Sequence, residues 1–244
     1  MTRLRLDEVL IKRGFYTSRS RARDAVLRGT VRVDGILAVK PAQNSAHDAH
    51  IEIIDAAQKY VSRSALKLKH ALEYFKIDVT GLNGLDIGAS TGGFTQVLLE
   101  HGAAHVTAID VGHGQFVAWL KSRDRVTSIE GLNSRDLTAG HLAHAVGIIV
   151  CDVSFISLKL ALPAALNLVE RGTHLVALVK PQFEAGREMV GRSGLVTDPA
   201  EHSRVCDEIT AFLEDQNWEV IGLTPSSIEG SDGNQEFLVA AVKR

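Results

Sequence analysis

Residues 85–110 read LDIGASTGGFTQVLLEHGAAHVTAID, and no other stretch of the chain narrows the fold as far. An apolar strand runs into a turn holding Gly88, Gly92 and Gly93, a helix begins near Phe94, and a second apolar strand ends on Asp110. Strand, turn, helix and strand in this order make a parallel βαβ unit. Apolar runs at 84–88, 104–110, 125–130, 147–153 and 173–180 continue the alternation, and 218–224 and 235–242 close it. The pattern predicts an α/β fold with a doubly wound, mostly parallel seven-stranded sheet covered on both faces. Ligands of such sheets lie beyond the carboxyl ends of the strands, so functional side chains are expected there.

The turn itself limits the ligand. Gly88, Gly92 and Gly93 allow a sharp bend and a close approach, and the helix starting at Phe94 offers free amides. Asp110 lies about 20 residues further on, where an acid bonds ribose hydroxyls. Ser90, however, stands where the dinucleotide fingerprint G-x-G-x-x-G has its second glycine, the one that admits a pyrophosphate. With Asp86 just before the turn, this favours S-adenosylmethionine, a cofactor without phosphates and with an amino-acid tail; a nicotinamide dinucleotide is the alternative. Asp86, Gly88, Ala89, Ser90, Gly92, Gly93, Phe94 and Asp110 are the expected cofactor residues. Asn133 or Asp136 in GLNSRDL is expected at the adenine.

Charge divides the chain. Residues 1–45 hold 10 Lys/Arg against 4 Asp/Glu, a net +6, and the remainder carries −8. A polyanion partner is therefore expected at the N-terminal end. The stretch SRSRARDAVLRGTVRVDG places Arg19, Arg21, Arg23 and Arg28 within ten residues of a predicted helix, with Thr17 or Ser18 as N-cap and Gly29 past its end. A short strand and an Asp-Gly turn follow. This stretch resembles the S4 RNA-binding domain, a small α+β module, and the resemblance implies docking on structured RNA through phosphates and shape. Arg3, Arg5, Arg63 and Arg187 join the expected RNA-contacting set. Residues 1–58 are read as this domain, 59–64 as a linker and 65–244 as the catalytic domain.

Composition excludes other classes. Hydrophobic residues at 45% with 23% charged are ordinary for a soluble domain. The opening MTRLRLDEVLIKRG lacks the apolar core of a signal peptide. The most apolar region, 145–169, is interrupted by Asp152, Lys159 and Pro163 and is too broken to span a bilayer. Cys151 and Cys206 make neither a disulfide framework nor a metal pattern, and a reducing cytoplasm is expected. The ten histidines lack companion ligands, so no metal is expected.

GIIVCDVSF and HLVALVKPQF put Asp152 and Lys180 at the carboxyl ends of two strands beside the cofactor strand. Charged groups ending apolar strands are candidates for shifted pKa values. Methylating a hydroxyl requires a group that takes or shares its proton; Lys180 points to O-methylation, with Phe183 near the target nucleotide and Asp152 also facing the cofactor.

Residues 60–244 resemble the FtsJ-type ribose 2′-O-methyltransferases, and the whole chain resembles the TlyA-family rRNA methyltransferases, which join an S4 domain to that fold. The matching stretches are YVSRSALKL, LDIGASTGGFT, DVGHGQ, DVSFISLKLALP, LVKPQFEAGRE and GNQEFLV. The resemblance implies a Rossmann-like class I methyltransferase domain, S-adenosylmethionine as cofactor, and a Lys-Asp-Lys-Glu tetrad at Lys67, Asp152, Lys180 and Glu236. Ser64 replaces a small residue, often glycine, in the first motif. Without the resemblance, Lys67 reads as a helix-surface lysine and Glu236 as an edge-strand acid. The implied substrate is ribosomal RNA or a ribosomal subunit, at a cytidine of the small- or large-subunit rRNA. Competing readings are a non-catalytic ribosome assembly factor, a membrane-active haemolysin and a nicotinamide dehydrogenase. FEAGREMVGRSGLVTD, residues 183–198, is expected to be either a lid over the RNA or an ordinary surface loop.

Overall fold

The computed structural model describes residues 3–191 and 193–244, with Arg187 described by its backbone alone. Two compact units result, one ending at Lys59 and the other spanning Tyr60–Arg244.

In the first unit β1 (Arg3–Arg5), α1 (Leu6–Lys12), α2 (Arg19–Leu27), β2 (Val31–Val33), β3 (Ile36–Leu37), β4 (Asn44–Ala46) and β5 (Ile51–Ile53) follow in order. Ser18 caps α2, its hydroxyl accepting the Arg21 amide at 3.3 Å. β2 pairs antiparallel with β3 and β5, and β1 with β4. Asp34 and Gly35 join β2 to β3 with φ of 50° and 78°, the left-handed pair a two-residue hairpin turn requires. Leu6, Val9 and Leu10 of α1 pack on Ala22, Ala25 and Val26 of α2 to form the core.

In the second unit the elements are α3 (Ala65–Phe75), β6 (Asn83–Ile87), α4 (Gly93–Glu100), β7 (His105–Asp110), α5 (Ala118–Lys121), β8 (Val126–Glu130), β9 (Ile148–Cys151), α6 (Leu158–Ala161), α7 (Pro163–Asn167), β10 (His174–Val179), α8 (Pro181–Glu184), α9 (Pro199–Asp215), β11 (Trp218–Pro225) and β12 (Phe237–Lys243). The sheet order is β8-β7-β6-β9-β10-β12-β11. β12 runs antiparallel to both neighbours, and the remaining pairs are parallel.

Strand alternation builds a core on each face. Ile148, Val150, Val176 and Leu178 point to the α3–α4 side, while Ile149, Cys151, Ala177 and Val179 point to the α9 side. The chain steps outward from β6 through β7 to β8 and then crosses back to β9 on the other side of β6, so a crevice opens above the carboxyl ends of these strands.

Candidate active site

The turn after β6 owes its glycines to the protein around it. Gly88 has φ 80°, and a Cβ built there would lie 2.5 Å from the backbone oxygen of Asp152. A Cβ on Gly93 would lie 2.9 Å from Ser64 Oγ and 3.0 Å from Ser62 Cβ. Sequence reasoning assigned these glycines to ligand approach. At these two positions their smallness also lets the loop after β9 and the segment before α3 close on the turn, and Gly88 lines both cavities described below. Gly92 and Gly93 do not line either cavity described below.

Ser90, in the left-handed region at φ 48°, donates its amide to Asp110 Oδ2 at 2.7 Å, and the Gly112 amide reaches Oδ1 at 2.7 Å. Asp110 is thereby fixed at the end of β7 with its remaining lone pairs toward a cavity of about 470 Å³, a size usual for cofactor sites. Asp110 and Asn133 line it on one side and Asp152 on the other, with Ile109, Val111, Leu132 and Ile156 also in its wall. Among the described residues no lysine or arginine lines it. Acids for ribose hydroxyls and an amino group, apolar walls for a base and no cation for a pyrophosphate fit S-adenosylmethionine better than a dinucleotide.

Two acids expected at the cofactor also lie elsewhere. Asp136 is exposed and does not line the cavity; Ser134 does. Asp86 is completely buried beneath the turn, where its Oδ2 accepts the Thr95 amide at 2.9 Å and the Thr95 hydroxyl at 2.6 Å. Burial pushes its carboxyl up to about 7, against the Thr95 bonds that favour the charged form. Asp86 thus anchors the start of α4.

A second cavity of about 260 Å³ adjoins the first and shares Gly88, Ser90, Asp152 and Ser154 with it. Ala89 and Phe94, expected at the cofactor, line this one instead. Its floor carries Lys67, Asp152, Lys180 and Glu236. Lys67 faces inward from α3, buried, and pairs with Glu236 Oε2. Glu236 precedes β12, a strand inside the sheet, so neither residue is the surface group that periodicity alone suggests. Lys180, at the end of β10, lies 2.7 Å from Asp152 Oδ1 and donates to Ser154 Oγ at 2.9 Å. Two lysines and two carboxylates, drawn from four segments, converge in this smaller cavity beside the larger one.

Ser154 and Phe155 escaped sequence reasoning, although DVSFISL contains both. Phe155 is 90% exposed at the rim of the larger cavity, with φ 65°. Its ring lies 5.1 Å from that of Phe183. An exposed aromatic in a strained conformation beside such a site is a functional signal, and no periodicity reveals it.

The loop 183–198 is tied down near its end. Asn234, buried, accepts the Val196 amide at 2.9 Å and donates to the Gly194 oxygen at 3.0 Å. Arg192 and the Arg187 side chain lie outside the described residues.

The arginines of the first unit differ in their surroundings. Arg28 donates to Asp55 at 2.8 and 2.9 Å and to Asp24 at 2.8 Å, so it is an internal brace rather than a phosphate contact. Asp55 also accepts from Tyr16 and from the Ala57 amide, both at 2.9 Å. Arg5 and Arg19 converge on Asp7, whose side chain is wholly buried, and remain substantially exposed themselves. The hydrogen bond from Arg5, joined by that from Arg19, holds the Asp7 carboxyl below the usual range. Arg3 and Arg23 are exposed. Arg21 reaches the Ala57 and Gln58 oxygens at 3.4 and 3.3 Å, and within the second unit Arg63 reaches the Glu229 oxygen at 3.0 Å.

Comparison with known proteins agrees with this layout. The FtsJ-like methyltransferase family model matches residues 60–243, and the S4 domain model residues 4–44. The 16S/23S rRNA (cytidine-2′-O)-methyltransferase TlyA of Mycobacterium tuberculosis is 42% identical over 238 residues, covering 97% of this chain and 89% of that protein. The structure titled a putative hemolysin from Streptococcus thermophilus has 40% identity and a TM-score of 0.78, covering 100% of this chain and 89% of that one. At 16% identity and a TM-score of 0.54, an S-adenosylmethionine-dependent methyltransferase from Listeria monocytogenes, matched over 72% of this chain and 97% of its own, shares the fold of the larger unit. The chain belongs to the FtsJ-like methyltransferases, and within them to the S4-bearing TlyA family.

Proposed function

We propose that this protein is an S-adenosylmethionine-dependent methyltransferase that modifies the 2′-hydroxyl of a cytidine in ribosomal RNA, in the cytoplasm. The observation that carries the reading is the pair of linked cavities, one suited to the cofactor and one floored by two lysine–carboxylate pairs, with Asp152 in both. S-adenosylmethionine supplies an electrophilic methyl group on a sulfonium. Asp110 and Asn133 would hold its adenosine end and Asp152 its amino-acid end.

The target ribose enters the smaller cavity. Lys180, aligned by Asp152 and Ser154 and in its neutral amine form, would take the proton of the 2′-hydroxyl while that oxygen bonds the methyl carbon and the carbon–sulfur bond breaks, leaving S-adenosylhomocysteine. Lys67 and Glu236 position the ribose and keep the set charge-balanced. Phe155 and Phe183 offer an aromatic surface for the base. Arg3, Arg5, Arg19 and Arg23 contact phosphates from the first unit. Retention of both ion pairs favours catalysis over a purely binding role in assembly. As for the hemolysin title of a relative, among the described residues no helix is long and apolar enough to cross a membrane.

The test is transfer of labelled methyl from S-adenosylmethionine to purified 30S and 50S subunits, with Lys180→Ala alongside. Label on a subunit, lost in the variant, is the expected result; RNA binding without label would favour an assembly factor.

A further inference from the structure

The loop after β9, residues 152–157, carries Asp152, Ser154 and Phe155, and the segment after β10 carries Lys180 and Phe183. Cross-ties join the two. At one end Lys180 reaches Asp152 and Ser154. At the other, the Glu184 carboxylate accepts the Ser157 hydroxyl at 2.5 Å and the Leu158 amide at 2.8 Å, across 27 and 26 residues of chain. Between these ties sits Phe155 in its left-handed conformation. A bulky residue holds such a conformation only where its surroundings over-determine it.

We infer that Glu184 is a positioning residue for methyl transfer, pegging the loop after β9 to the segment after β10 so that Asp152, Lys180 and Phe155 keep their mutual geometry. The inference rests on the methyl-transfer reading above. Glu184 ends α8, whose first residue, Pro181, follows Lys180 directly, so one short turn carries both the proposed base and the peg. Ser157 already caps its own short helix by accepting the Lys159 amide at 3.1 Å. The contact from Glu184 therefore adds a link between segments rather than a missing cap. Burial raises the Glu184 carboxyl, opposed by the bonds from Ser157 and Leu158. Lys159 and Glu208 are the charged groups around it; they pair with one another at 2.6 Å, and Arg204 of α9 joins Glu208 while donating to the Ala185 oxygen at 3.1 Å.

The experiment compares Glu184→Ala and Glu184→Gln with wild type in the full chain. Crystal structures give the Lys180–Asp152 separation, and steady-state methyl transfer to subunits gives kcat, KM and the kcat–pH profile. In Glu184→Ala the loop moves, the Lys180–Asp152 contact opens, kcat falls by about 10²-fold and the pH profile shifts. Glu184→Gln keeps an acceptor for the Leu158 amide and recovers part of kcat. An unchanged Lys180–Asp152 contact in Glu184→Ala overturns the inference, as does lowered thermal stability with kcat and pH profile intact. Should wild type methylate no RNA while the loop still moves in Glu184→Ala, the methyl-transfer reading falls and the positioning stands.

Discussion

Lys67 and Glu236 lie 169 residues apart in sequence and meet as a buried ion pair on the floor of the smaller cavity. Removing one partner leaves the other charge without compensation, which costs about 3–5 kcal/mol for buried pairs. Glu236→Ala is expected to lose stability on that scale in urea unfolding, and methyl transfer with it. Glu236→Gln, which keeps an oxygen acceptor, is expected to lose less.

Lys180→Arg separates charge from proton transfer. Arginine preserves a cation beside Asp152 but does not give up its proton near neutral pH. The expected outcome is a kcat lower by about 10²–10⁴-fold, with S-adenosylmethionine binding retained in calorimetry. A variant with the wild-type rate and pH profile would remove Lys180 from the role of base.

Phe155 projects almost fully into solvent, so its removal carries little packing cost. Phe155→Ala is expected to leave the melting temperature nearly unchanged and to lower kcat/KM for the ribosomal substrate. Stacking of a base on an aromatic ring is worth about 1–3 kcal/mol, which sets the size of the loss. Equal kcat/KM for the two proteins would exclude Phe155 from the RNA surface.

Arg23 and Arg28 share a helix region and differ in task. Arg23→Ala is expected to weaken RNA binding across sequences and to reduce the salt slope by about 1, with stability intact. Arg28→Ala, which strips Asp55 of its partner, is expected to destabilise the first unit instead. Filter binding over a salt series, set beside thermal melts, separates the two.

Asp86 and Asp7 give stability opposite pH dependences. The folded Asp86 carboxyl is raised from an ordinary 3.8 to about 7; its contribution is fully present below the ordinary value and is lost as pH rises toward 7. Asp86→Asn is expected to flatten that decline in melts taken between pH 4 and 8. Asp7 is lowered by Arg5 and Arg19, so its contribution is present above the ordinary carboxylate range and lost as pH falls through the lower folded value. Asp7→Asn is expected to remove part of the acid sensitivity below pH 4.

Much of this architecture follows from local sequence. The alternation of apolar runs specifies a parallel sheet because a strand buried on both faces needs continuous apolar residues. The turn at Gly88, the acid at Asp110, the cap at Ser18 and the Asp-Gly hairpin are short-range chemistry, readable over a few residues. Asp152 and Lys180 are legible as site candidates because strand ends are where such folds bind ligands.

Tertiary structure decided what depends on neighbours far away in sequence. Lys67 and Glu236 look like surface charges until α3 and the segment before β12 are brought together. Arg28 and Arg23 both read as solvent-facing from the sequence, on different stripes, yet one meets Asp55 and the other meets solvent. Asp86 stands near the end of a strand just before the fingerprint turn, but folding buries its carboxylate against Thr95, outside the lining of the cofactor cavity. The pattern of side chains along a strand or helix is encoded locally, whereas the partner of a buried charge is set by chain crossings, and these decide which charges act on a ligand and which hold the fold.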